Sequence, residues 1–172
     1  VKTTLIVLAS ACALFGQAPD FKTASGGAKA HFTQISGLVM RSAEKMPEEN
    51  YSYKPTPEVR SFGALVGHVA DAQYLFCSAV VGEKNPAPGI EKTKTSKADL
   101  SAALKEAFAY CGKAFDGLSD ETASQVVKLF GSERSKLNVL QFNNMHNMEH
   151  YGNMVTYLRL KGLVPPSSEK RQ

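Results

Sequence analysis

A chain of 172 residues, 43% of them hydrophobic, suits one domain with a packed core, and no compositional bias marks it as disordered. Lys and Arg total 20 against 16 Asp and Glu, a net charge of +4. The basic residues are scattered (Lys92, Lys94, Lys97, Arg134, Lys136, Lys161, Lys170 and Arg171) and not interleaved with aromatics, which excludes the basic stripe of a nucleic-acid groove.

Lys2 precedes an uncharged run, LIVLASACALF, over residues 5–15, and Gly16, Gln17 and Ala18 follow. A positive start, an apolar run and small residues at its end read as a secretory signal peptide over residues 1–18. The run is shorter than the ~20 residues of a bilayer span, so no stable membrane insertion of the mature chain is expected. The competing reading, a first core helix, meets the breakers Pro19, Ser25, Gly26 and Gly27. The leucine before Cys12 lies one position too far back for a lipoprotein signal. Residues 19–27 then read as a Gly-rich linker, 28–166 as the domain and 167–172 as a tail. Export would place the protein in the periplasm or outside the cell, where a Cys77–Cys111 disulfide is permitted. Both cysteines fall mid-helix, where a bridge demands particular geometry, so buried free thiols are the competing expectation.

Four helical patterns follow. Phe32, Ile35, Val39, Ala43 and Met46 recur at three- and four-residue spacing and predict a helix over 28–46, ended by Pro47. Residues 48–60 contain Pro55 and Pro57 and read as an extended connection. Ser61 caps a second helix whose apolar face runs from Phe62 to Val81 before Gly82. Residues 83–95 hold Pro86, Pro88 and Gly89 and are long for a link between antiparallel neighbours, which suggests a crossover. Thr95 or Ser96 opens a third helix carrying Leu100, Leu104, Ala107, Phe108, Cys111 and Phe115, and Gly117 ends it. Residues 118–133 read as a linker with at most one helical turn. A fourth helix spans 135–161, stopped by Gly162 and Pro165-Pro166. No segment shows convincing strand alternation, so the fold class is all-α, a four-helix bundle.

The fourth helix carries His146 and His150, four residues apart and therefore one turn above each other, with Cβ atoms about 5–6 Å apart. Their imidazole nitrogens can converge on one cation, and imidazole suits zinc, nickel, copper and ferrous iron. The helical period extends this row to Asn143, Asn153 and Tyr157, on a helix otherwise rich in Leu, Val and Met. A polar row beside the core needs partners, and a metal would supply one. His68, on the apolar second helix, is the remaining core histidine and the candidate third ligand. Three histidines would leave coordination positions open, as catalytic sites do. The competing reading is a set of satisfied core histidines. Cys77 is nine residues past His68 and turned away from it. His31 lies near the linker and reads as a surface residue. Asp71 and Glu149 are candidates for outer-shell or acid–base roles, and Tyr51, Tyr53 and Tyr151 for packing.

These residues resemble the DinB-like, YfiT-type family of metal-binding four-helix bundles. Residues 53–62 (YKPTPEVRSF), followed by Leu65-Val66-Gly67-His68, resemble its approach to helix two. Residues 146–153 (HNMEHYGN) resemble its helix-four histidine motif, and residues 157–166 (YLRLKGLVPP) the ending of exported members. By this resemblance His68, His146 and His150 match the three metal ligands, the connectivity is up-down-down-up with the long helix 2–helix 3 crossover, and a homodimer is expected. The metal would be zinc or nickel, with iron, copper and manganese as further candidates. The chain departs from the family at Asn147, where many members have an acid, at Glu149, often histidine, and at Tyr151, often arginine. Relatives include thiol-cofactor-dependent transferases and isomerases. The expectation is an exported metal-dependent hydrolase or thiol-dependent transferase acting on a small molecule of unknown identity. The alternative is a non-catalytic metal-binding or stress-response protein.

Overall fold

Four serine or threonine hydroxyls start the long helices. Thr23, Ser61, Ser96 and Ser135 each accept an N–H from three residues on, satisfying a donor the helix leaves free. The computed structural model describes residues 19–170; the expected signal peptide and the last two residues lie outside the described residues. The helices are α1 (Ala24–Lys45), α2 (Phe62–Val81), α3 (Ile90–Thr93), α4 (Lys97–Asp116) and α5 (Lys136–Leu160). The four long ones are the expected ones, and α3 is a single turn inside the crossover. Gly82 and Gly162 close α2 and α5 with φ of 78° and 71°, values open to glycine at little steric cost.

α1 and α2 do not share a major contact; each packs against both α4 and α5. α2 is apolar nearly all round because it is buried nearly all round. The buried side of α5 mixes Leu140, Met154 and Leu158 with Asn143, Asn147 and His150. Gln73 on α2 answers these amides. Its Nε2 donates to Asn147 Oδ1 at 2.6 Å, and Asn143 Nδ2 donates to Gln73 Oε1 at 3.0 Å. Asn147 Nδ2 completes the set by donating to Asn143 Oδ1 at 3.2 Å. The buried amides thus satisfy one another.

Two expectations are corrected. Helix α1 begins at Ala24, so Gly26 and Gly27 lie in its first turn and not in a linker. Thr23 caps that turn, and the Ser25 N–H donates to Asp120 at 2.8 Å; these bonds offset the poor helix propensity of two glycines. The second correction concerns residues 118–133, where strands β1 (Val126–Leu129) and β2 (Ser132–Ser135) form an antiparallel hairpin. Only Leu129 of its eight strand residues is buried, so there was no alternation to read. Its turn is the two residues Phe130 and Gly131, with φ of 52° and 76°. Two successive positive φ values match the twist of a tight hairpin, but a bulky side chain pays about 1–3 kcal/mol there.

Cys77 of α2 and Cys111 of α4 form a disulfide across a Cα–Cα distance of 5.2 Å, inside the ordinary range. The bridge is fully buried and sits beside Asn143. Closing a loop with a sequence separation of 34 corresponds to about 3–4 kcal/mol of stability on the chain-entropy account. The C77A/C111A variant is expected to unfold at a clearly lower urea midpoint than the oxidised wild type, as followed by far-UV circular dichroism.

Candidate metal centre

His68 reaches inward from the second turn of α2, and His146 and His150 from successive turns of α5. The Nε2 atoms of His68 and His146 are 3.2 Å apart, and those of His150 and His146 are 3.0 Å apart. Potential ligand atoms of all three residues lie within 4.8 Å of one another. Metal–imidazole bonds of about 2.0–2.1 Å place neighbouring nitrogens about 2.9–3.4 Å apart in tetrahedral to octahedral sites, and the two distances from His146 fall in that range.

The outer nitrogens explain why a cation suits this cluster. Glu91, in α3, faces His68 Nδ1 with Oε2 at 3.1 Å, and Arg60 Nε donates to its other oxygen at 2.9 Å. A carboxylate there calls for a proton on Nδ1, which leaves His68 Nε2 as a lone pair. With neutral rings, His146 Nε2 offers either one proton or one lone pair to its two Nε2 neighbours, so at most one of the two contacts can be a good hydrogen bond. A divalent ion would take all three lone pairs. His146 Nδ1 is buried without a partner. Asn153 places its amide nitrogen 3.4 Å from His150 Nδ1; with the amide turned over, its carbonyl oxygen would accept from Nδ1 and hold the tautomer that frees Nε2.

Burial, then the charges of His150, His68 and Arg60, push the His146 imidazole down to about 3. Burial and the charge of His68 lower His150 to about 4, against a small opposing pull from Glu149 and Glu91. Both rings are therefore neutral near pH 7, the form that binds metal.

Glu91 and Arg60 were not legible as site residues, because nothing in their local spacing points to His68. Asp71 proves to be structural. Its carboxylate accepts the backbone N–H groups of Gly89, Ile90 and Glu91 at 2.8, 2.8 and 2.9 Å, which fixes α3 against α2. Glu149 is exposed. Of the row predicted on α5, Asn153 reaches the centre, whereas Asn143 joins the buried amides and Tyr157 donates to Arg60 O at 2.6 Å. Tyr151 accepts the Ser167 N–H at 2.9 Å. His31 is exposed, as expected, and lies against Phe21.

A cavity of about 420 Å³ opens beside His68 and His146, lined chiefly by Ala72, Leu75, Phe76, Pro88, Phe130 and Phe142. Phe76 connects its parts: its ring lies 5.4 Å from His146, 5.4 Å from Phe142 and 6.1 Å from Phe130, each edge to face.

Fold and centre together define a helical bundle with three clustered histidines that could hold a metal ion. The chain belongs to the DinB superfamily, whose sequence model matches residues 31–154. The uncharacterised protein YjoA of Bacillus subtilis is 28% identical over 135 residues, covering 77% of this chain and 87% of its own. The crystal structure of YjoA, a DinB-like protein, aligns with a TM-score of 0.68 at 26% identity over 85% of this chain and 99% of that one. A DinB-like protein from Bacillus cereus aligns at 0.72 and 17% identity, over 81% and 94%. A mycothiol-dependent maleylpyruvate isomerase aligns at 0.61 and 16% identity, over 76% of this chain and 60% of that one, a likeness of fold.

Two outcomes test this geometry. In metal-free protein the lowered histidines leave the unfolded chain binding more protons below its own value of about 6.5, so stability should fall as pH drops from there toward 4. Urea unfolding across that window should show the slope, and H146Q should flatten it. A Cβ on Gly67 would stand 2.7 Å from Glu91 Cα and 3.1 Å from Glu91 N. G67A should therefore displace α3, lower the thermal midpoint by several degrees and weaken zinc uptake, read by calorimetry.

Proposed function

We propose that this chain is an exported metal-dependent enzyme that holds one divalent cation on His68, His146 and His150 and acts on a small molecule. The observation that carries this reading is the convergence of three Nε2 atoms beside an open apolar cavity; a storage or purely structural site has no need of the cavity. All-nitrogen ligation suits zinc or nickel, with iron, copper and manganese as weaker candidates. A cation bound there would act as a Lewis acid that lowers the pKa of a coordinated water or thiol.

The protein's own groups orient and exclude. Glu91 holds the His68 ring and its tautomer, and Arg60 holds Glu91. Phe76, edge-on to His146, keeps water from one flank of the centre. The nearby carboxylates are already engaged: Asp71 accepts three backbone N–H groups, and Glu91 faces Arg60 and His68. That engagement favours a thiol-dependent transfer, in which the nucleophile brings its own acidic proton, over hydrolysis that needs a protein base. The shared fold of the mycothiol-dependent isomerase agrees with it. Export is supported by the buried disulfide, which suits an oxidising compartment.

Elemental analysis of the untagged protein should find about one divalent ion per chain, lost in H146A, and chelation should lower the melting temperature. E91Q should retain the fold but bind the ion about 10–100-fold more weakly. On panels of thiol-transfer and hydrolase substrates, activity that survives removal of the ion would sink the metal-dependent mechanism. A metal-replete protein inactive on both panels would favour the non-catalytic alternative.

A further inference from the structure

The hairpin turn carries a cost that the fold does not explain. Phe130 is the sole non-glycine residue with positive φ among the described residues, at a position where Asn, Asp or Gly is preferred. Its side chain is not used in the core, being 64% exposed, yet it lines the cavity beside the histidines. Leu75, 39% exposed, lines the same cavity from α2. Strained backbone presenting an exposed aromatic ring over a pocket is a pattern expected of a ligand contact.

We infer that Phe130, with Leu75 and Phe76, forms a subsite for the flat apolar body of a small ligand whose electron-donating head reaches the histidine-held cation. This deepens the metal-centre reading and rests on it for the head group. Size and polarity choose the ligand class. A dry cavity of about 150 Å³ accommodates benzene, so 420 Å³ takes one ring with a short side chain and not a polymer. The wall is mostly hydrocarbon; its polar groups are Asn85, the histidines and Asp71, whose carboxylate is already taken up by three backbone N–H groups, so the body is apolar and the polar end lies at the histidines. The edge-to-face run from His146 through Phe76 to Phe130 suits an aromatic ring better than a branched chain.

The test compares benzohydroxamate with acetohydroxamate, which share a metal-binding head and differ in the ring. Calorimetry on the full chain loaded with zinc should show benzohydroxamate binding at least about tenfold more tightly. F130N should reduce that preference by about fivefold or more, leave acetohydroxamate unchanged, and raise the melting temperature, because Asn tolerates the turn. L75N, at a surface position, should also reduce the preference. Zinc stoichiometry measured beforehand registers failure of the metal reading separately. Fluorobenzene has no metal-binding head, so its ¹⁹F line broadening should be weaker in F130N than in wild type in metal-free and zinc-loaded protein alike. Equal affinity for the two hydroxamates, or a preference and broadening untouched by F130N, would overturn the inference. So would an F130N effect confined to oligomeric state, which would assign the ring to a second copy of the chain.

Discussion

The carboxylate of Asp71 accepts three consecutive backbone N–H groups, those of Gly89, Ile90 and Glu91. A four-residue helix such as α3 cannot hold itself together, since nucleation costs more than one turn returns. The anion at its N-terminus satisfies the free donors and opposes the positive end of the helix. Asp71 stands one turn beyond His68 on α2, so one stretch of helix supplies both a candidate ligand and the anchor of the residue that orients it. Gly67 completes the arrangement by letting the backbone at Glu91 come close. The placement of Glu91 behind His68 and one wall of the cavity follow from this attachment.

The polar interior of α5 works in the same direction. Asn143 and Asn147 would be costly in a bundle core if left alone, and Gln73 meets them from α2. Three amides that satisfy one another admit few alternative alignments of α5 on α2. A slide or rotation of α5 would strand them, and it would also pull His146 and His150 away from His68. The disulfide ties α2 to α4 beside the same amides. Asn147 belongs to this alignment and not to the histidine cluster.

Local chemistry in the sequence accounts for most of the secondary structure. Capping residues just ahead of their helices, stop signals at Gly82 and Gly162, and apolar spacing placed α2, α4 and α5 to within a residue or two. At Gly26 and Gly27, which read as breakers, the start of α1 is held by the Thr23 cap and by Asp120, a residue 95 positions from Ser25. The hairpin was invisible because it buries a single strand residue and is held by pairing, not by a hydrophobic face.

The histidine centre divides along the same line. His146 and His150 could be paired from sequence because a helix puts residues four apart on one face, whatever surrounds it. His68 needed the family resemblance, since it lies 78 residues from His146 and no local rule connects them. The tertiary structure alone decided that Glu91 stands behind His68, that Asp71 builds the crossover, and that Asn143 and Tyr157 leave the row predicted for them. Helical periodicity is a property of the backbone and is written along the chain. What faces each side chain depends on which elements pack together, and that choice is made by the whole core.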